Sequence, residues 1–355
     1  MSPFNLTSVK KSLKKIDRKR TDSSYSLKPF VEKWIQDHPP KLSYTFKQPK
    51  IPFDEWKQQI HDLIFQKVNV LEPLPLNENK IEFHGEAEAN KIKFIKFSLM
   101  ALPGLRVPAI LCIPNDATSK TPTCICVHGH NMSKDTSVGL KKSKSKEYFG
   151  YELAVRGLIT LSLDWIGMGE RERFINRSFL FFQNEGPRSN WVRFLGLDMI
   201  GLRITEIKGL MNYLETREEI DSKRLGIVGH SGGGAICLFT TILDKRIKVC
   251  AVSGYFGTWE HSILSMHHCG CNYSGELRKY VELYDIFASL APLPVAVTMG
   301  KKDKIFPIEG VEIALPIIQK AYYESKHPDN FLIDLQTKGH KFYGDKVYPF
   351  ILNHI

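Results

Sequence analysis

No run of about 18 consecutive apolar residues occurs in this 355-residue chain, so the sequence offers no membrane-spanning helix. Its first residues, MSPFNLTSVKKSLKKIDRKR, lack the apolar stretch of a secretory signal. Cysteines number only seven, an odd count. Cys112, Cys124, Cys126, Cys237 and Cys250 lie in apolar runs, where a thiol packs as a small hydrophobe. A disulfide framework is therefore not expected, and a cytoplasmic location is. The chain has no G-x-x-x-x-G-K-[ST], no H-E-x-x-H and no complete G-x-G-x-x-G, which leaves nucleotide and zinc-protease roles without a motif. Internal repeats and low-complexity tracts are missing as well. No cofactor is expected.

What is present is ordinary for a globular protein, with one exception. At 43% hydrophobic, 25% charged and 11% aromatic residues, the chain can bury a large core. The exception is a formal net charge of +11. Residues 1–50 hold twelve lysines and arginines against four acids, a net +8, which leaves +3 for the other 305 residues. The charge thus marks a segment rather than the molecule. Leu6, Val9, Leu13 and Ile16 form an apolar stripe between lysines, predicting a basic amphipathic helix. Its expected place is against the rest of the protein with the lysines in water. A peripheral contact with an anionic membrane is the alternative. Nucleic-acid binding is not expected, because no aromatic interleaving accompanies the charge.

Two more helices are expected, about Pro29 to Gln36 and about Asp54 to Lys67, before the prolines near residue 73. Residues 1–78 therefore read as a helical basic extension, and 79–355 as the catalytic domain. Strands are predicted over Lys80–His84, Lys91–Met100 and Arg106–Ile113. Short apolar strands then alternate with helices: Thr123–Val127, Leu158–Leu163, Leu225–Val228, Val249–Val252, Val295–Met299 and Phe331–Leu335. One long helix is expected from about Trp191 to Thr216. That alternation predicts an α/β fold with a mostly parallel sheet covered on both faces.

The sharpest local signal is Gly229-His230-Ser231-Gly232-Gly233, between the strand Leu225–Val228 and a helix-like run. A serine on such a turn sits at a helix N-terminus, where small neighbours let a substrate approach. Its hydroxyl needs a base, and the base needs an orienting acid. His340 follows the strand Phe331–Leu335, and Asp303 follows Val295–Met299, so Ser231, Asp303 and His340 stand at three strand ends in the order a hydrolase triad requires. Glu260 is the reserve acid. The backbone N–H groups of Gly232 and His130 are the expected oxyanion hole, with Asn131 the near alternative.

The stretches LRVPAILCIP, CICVHGHN, LDWIGMGERER, EIDSKRLGIVGHSGGG, HHCGCNY, LAPLPVAVTMGKKDKIFP and KGHKFY occur in order between about residues 105 and 343. In this the chain resembles the α/β-hydrolase superfamily, and within it the dienelactone-hydrolase and acetyl-xylan-esterase-like branch. The resemblance implies the α/β-hydrolase fold, the triad Ser231–Asp303–His340 and a serine esterase acting on a small-molecule ester, short-chain or acetyl. Serine stands where dienelactone hydrolases have cysteine, which favours ester cleavage. Gly232 stands where the cephalosporin and xylan deacetylases usually carry glutamine.

Trp165, Phe181 and His268 are the candidate substrate contacts: the first beside the nucleophile, the second in the unpatterned stretch 166–190, the third in a loop expected over the pocket mouth. His267-His268-Cys269-Gly270-Cys271 looks like a metal site, but adjacent histidines and a C-x-C do not converge easily on one tetrahedral ion, so no metal is expected. Lys141, Lys142, Lys144 and Lys146 read as a solvated charge run. The competing readings are a catalytically silent hydrolase fold that binds a partner through the basic segment, and a small peptidase of the prolyl-oligopeptidase kind.

Overall fold

The computed structural model describes residue 11 and residues 27–44, 51–77, 80–143, 147–172 and 185–355. The predicted first helix, over Leu6 to Ile16, lies outside the described residues apart from Lys11.

Among the described residues nine strands form a single sheet: β1 (Ile81–Ala89), β2 (Ile92–Leu102), β3 (Leu105–Pro114), β4 (Thr121–Val127), β5 (Ile159–Leu163), β6 (Ile220–His230), β7 (Ile247–Ser253), β8 (Val295–Gly300) and β9 (Phe331–Gln336). Their order is β1-β2-β3-β5-β4-β6-β7-β8-β9. The first three strands pair antiparallel, and β3 meets β5 antiparallel. From β5 to β9 every pairing is parallel. This is the α/β-hydrolase fold. β4, β5, β7 and β8 are buried along nearly their whole length, which is why they read as continuous apolar runs instead of alternating ones.

The sequence pattern predicts one helix from Trp191 to Thr216, and here the structure differs. It has two helices, Glu185–Phe194 and Met199–Leu214. Gly196 adopts φ 75°, a left-handed turn that ends the first. Asp198 caps the second, its carboxylate accepting from the N–H groups of Ile200 (2.8 Å) and Gly201 (3.4 Å). An apolar periodicity that runs through a capped break cannot reveal the break. The stripe Ile200, Ile204, Ile207, Met211 and Leu214 is buried as its spacing requires.

The helices Leu27–Asp37 and Phe53–Val68 answer to the two expected near the N-terminus. The first buries nothing. The second buries Trp56, Ile60, Ile64 and Val68, every fourth residue, in the cluster that also holds Ile200 and Ile204. A Cβ on Gly201 would collide with the Val68 carbonyl oxygen, so the two helices approach backbone to backbone. The Tyr44 N–H donates to Asp285 Oδ1 at 2.6 Å, and the Trp56 indole donates to the Leu42 carbonyl at 2.7 Å. Among the described residues no helix is long and apolar enough to cross a membrane.

Candidate active site

β6 delivers Ser231 to the C-terminal edge of the sheet, and the helix Gly232–Leu243 starts at the next residue. Ser231 has φ 53° and ψ −120°, a conformation that a non-glycine residue holds only where its surroundings enforce it. The enforcement is visible. The Ser231 N–H donates to the Ser253 carbonyl at 2.7 Å, and the Ala235 N–H donates to the Ser231 carbonyl at 3.1 Å. A Cβ on Gly233 would strike the Val127 carbonyl oxygen, so only glycine lets the helix start this close to the end of β4.

His340 and Asp303 come from the loops after β9 and β8. These loops are tied together by Lys301 N–H to the Gln336 carbonyl (2.7 Å) and Lys302 N–H to the Lys338 carbonyl (2.9 Å). His340 Nδ1 lies 2.7 Å from Asp303 Oδ2. The other carboxylate oxygen, Oδ1, accepts from the N–H groups of Ile305 (2.8 Å) and Phe306 (3.1 Å). Asp303 is therefore fixed at both oxygens, and its side chain is sealed from water. His340 is partly exposed on the cavity. Glu260 is exposed and does not line the cavity; the acid on His340 is Asp303.

Ser231, Gly232, His130 and His340 line one cavity of about 480 Å³. Its walls also include Glu147, Tyr255, Phe306 and the loop Met266–Cys269. His268 is on this wall as expected, with Nε2 3.2 Å from Ser262 Oγ. Burial holds its imidazole below the ordinary histidine value, aided by the neighbouring His130 and His267. The Phe306 ring stacks on His340 at 6.3 Å between centroids. His230 packs against His340 at 4.9 Å between centroids. Burial, and then the nearness of His340, hold the His230 imidazole well below its ordinary value, so it stays neutral.

The loop after β4 faces Ser231: a Cβ on Gly129 would come to 3.4 Å from Ser231 Cβ. Its next residue, His130, lays its ring over Gly232, where an added Cβ would run into the imidazole. This is the physical reason for glycine, and not a longer residue, after the serine. Asn131 turns the loop away with φ 61°.

Trp165 does not touch the cavity, contrary to the expectation that it contacts substrate. It is fully buried beneath His130, edge-on at 5.0 Å, and its indole N–H donates to the His128 carbonyl at 2.9 Å. The Arg203 guanidinium covers the tryptophan at 4.0 Å. Phe181 lies outside the described residues.

Behind this loop sits a buried ionic network that sequence reading missed. Lys134 is wholly buried, with Nζ 3.0 Å from Asp164 Oδ2 and 2.9 Å from Glu170 Oε1. Its backbone N–H donates to Asp164 Oδ1 at 2.7 Å, and His128 Nε2 is 3.4 Å from the same oxygen. Burial alone would raise the Asp164 carboxyl, but His128 and Lys134 outweigh it and hold the group well below the usual carboxylate range. Burial would likewise lower the Lys134 ammonium, and Asp164 with Glu170 raises it instead. The ion pairs anchor the loop that carries His128, Gly129 and His130.

Glu147 is the other omission. It is buried on the cavity wall, with Oε1 3.6 Å from His230 Nε2. In the sequence it follows directly on the lysine-rich run 141–146, whose composition reads as solvated surface. No group of three or more metal-binding side chains occurs among the described residues.

A family model described as the Abhydrolase family matches residues 9–345. The chain belongs to that family. The match runs through most of the basic extension as well as the sheet. The "Putative hydrolase YtaP" of Bacillus subtilis (strain 168) is 24% identical over 245 residues, covering 66% of this chain and 78% of that one. Among solved structures, a putative acetyl xylan esterase of Bacteroides fragilis NCTC 9343 superposes with a TM-score of 0.71 at 18% identity, over 88% of this chain and 82% of its own. A glucuronoyl esterase from Solibacter usitatus gives 0.61 at 14% identity, over 88% and 97%. At such identities these structures share the fold with this family member.

Proposed function

We propose that the protein is a carboxylic ester hydrolase that works through an acyl-enzyme on Ser231, with acetyl and short-chain esters among those it cleaves. The observation that carries this reading is the His340–Asp303 contact at 2.7 Å on the cavity that also exposes Ser231, itself held in a left-handed turn at a helix N-terminus. The esterase titles of the structural neighbours support the same chemistry.

In this reading His340 Nδ1–H donates to Asp303 Oδ2, which leaves Nε2 with a free lone pair. Ser231 Oγ attacks the ester carbonyl while Nε2 takes the hydroxyl proton. The carbonyl electron pair moves onto oxygen, and the Gly232 and His130 amides stabilise that charge. Collapse re-forms the carbonyl, breaks the bond to the alkoxy oxygen, and returns the proton from Nε2 to the leaving alcohol. Water then repeats the sequence on the acyl-enzyme and releases the acid. Asp303 orients the ring and stabilises the imidazolium.

The test is turnover of an aryl acetate. Asp303→Asn, which reverses the imidazole tautomer, should lower kcat about 10⁴-fold. Glu260→Gln should leave kcat within about twofold. A large loss in Glu260→Gln with little in Asp303→Asn would overturn the assignment.

A further inference from the structure

A second cavity, of about 200 Å³, adjoins the first. Tyr255 and Asn272 line both. Phe239, Trp259, Ile263 and Leu277, all buried, give it an aromatic and aliphatic wall, and Ser274, Glu276 and Arg278 also line it. Its mouth opens at Leu264 and Tyr273, 38% and 40% exposed.

We infer that this cavity is the acyl subsite, and that the enzyme accepts esters of aromatic or medium-chain acids; the inference rests on the ester-hydrolase reading above. The position of the cavity decides which half of the ester enters it. The leaving alcohol must lie within reach of His340, which protonates it. None of His340, Ile305, Phe306 or Glu147 lines the second cavity. Its wall instead includes Cys271, whose Sγ is 3.9 Å from His130 Nε2, on the oxyanion side of Ser231. A tetrahedral carbon with its oxyanion at Gly232 and His130 and its alcohol at His340 points its acyl chain at that wall. The size suits the same group: an apolar cavity of about 150 Å³ already holds a benzene ring, and one of 200 Å³ holds a ring with a short linker. The two cavities meet at Tyr255 and Asn272, which line both, with Cys271 beside them on the second.

Aryl esters with acetyl, hexanoyl and phenylacetyl groups test this, in wild type, Ile263→Phe and Leu264→Trp, with thermal melting as the folding control. Wild type should favour phenylacetyl or hexanoyl over acetyl about tenfold or more in kcat/KM. Folded variants, whose added bulk fills the cavity or its mouth, should bring that ratio to within about twofold of one. An unchanged ratio in a folded variant overturns the inference. Should both variants fail to melt cooperatively, the wild-type ratio decides, and a value of one or less overturns it. A wild type that hydrolyses none of the esters, acetyl included, overturns the ester-hydrolase reading instead.

Discussion

The two flanks of Ser231 are built from opposite materials. On the β4–β5 side, a wholly buried Lys134 pairs with the buried Asp164 and with the partly exposed Glu170, and Arg203 covers the Trp165 ring. On the β7–β9 side, a neutral His230 packs against a partly exposed His340, which rests on one carboxylate that backbone amides hold. One flank fixes its charges by pairing, and they do not titrate near neutrality. The other keeps His340 on the open cavity, where the proposed mechanism needs its charge to change. In the proposed mechanism, rigidity under the His128–His130 loop and proton mobility beside Ser231 thus come from separate residues, and substitutions should separate them.

The largest effect belongs to the mobile flank. Asp303→Asn is expected to cost about 10⁴ in kcat while the melting temperature moves little. The rigid flank should behave in the reverse way. Lys134→Met strands Asp164 in the interior without its cation, an event that costs about 3–5 kcal/mol of stability. A chemical denaturation midpoint reads this loss directly, and kcat of the remaining folded enzyme should fall far less than in Asp303→Asn. Equal losses of rate in the two variants would erase the distinction between the flanks.

Between the flanks lies the contact of His130 with Gly232. Gly232→Ala pushes the imidazole aside and shifts the loop proposed to supply the second amide. We expect a loss of about ten- to a hundredfold in kcat, with KM for the aryl acetate nearly unchanged.

Acid titration should show the smallest and most separable difference. The folded-state value of His230 lies below the ordinary 6.5, so the unfolded chain takes the proton first. Stability from this flank is complete above about pH 6.5 and is lost as pH falls below it. Asp164 lies below the ordinary carboxylate value of 3.8, so its contribution persists to about pH 4 and is lost only below that. Denaturation midpoints across pH 3–8 should decline in two limbs. His230→Gln should remove part of the upper limb, and Asp164→Asn the lower.

The same contrast explains what the sequence could reveal. The mobile flank was legible because its members stand at strand ends in a fixed chain order: Ser231 after β6, Asp303 after β8, His340 after β9. Apolar runs disclosed the strands, since parallel strands buried on both faces need no alternation. The rigid flank was opaque. Lys134 and Asp164 are 30 residues apart, and no spacing rule joins a lysine in one loop to an aspartate after another strand. A lysine in the sequence reads as exposed until its partner is seen. Trp165 misled for a related reason: proximity to the serine along the fold does not say whether a ring faces the cavity or lies beneath it. The break near Gly196 was hidden because capping by Asp198 leaves the apolar spacing on its C-terminal side intact.

The central claim is that Ser231 is the nucleophile, and covalent labelling reaches it most directly. A fluorophosphonate should add once to the wild-type protein, and peptide mass spectrometry should find the adduct on Ser231. Ser231→Ala should take up none under the same conditions. Equal labelling of both proteins, or an adduct at any other residue in wild type, would contradict the account.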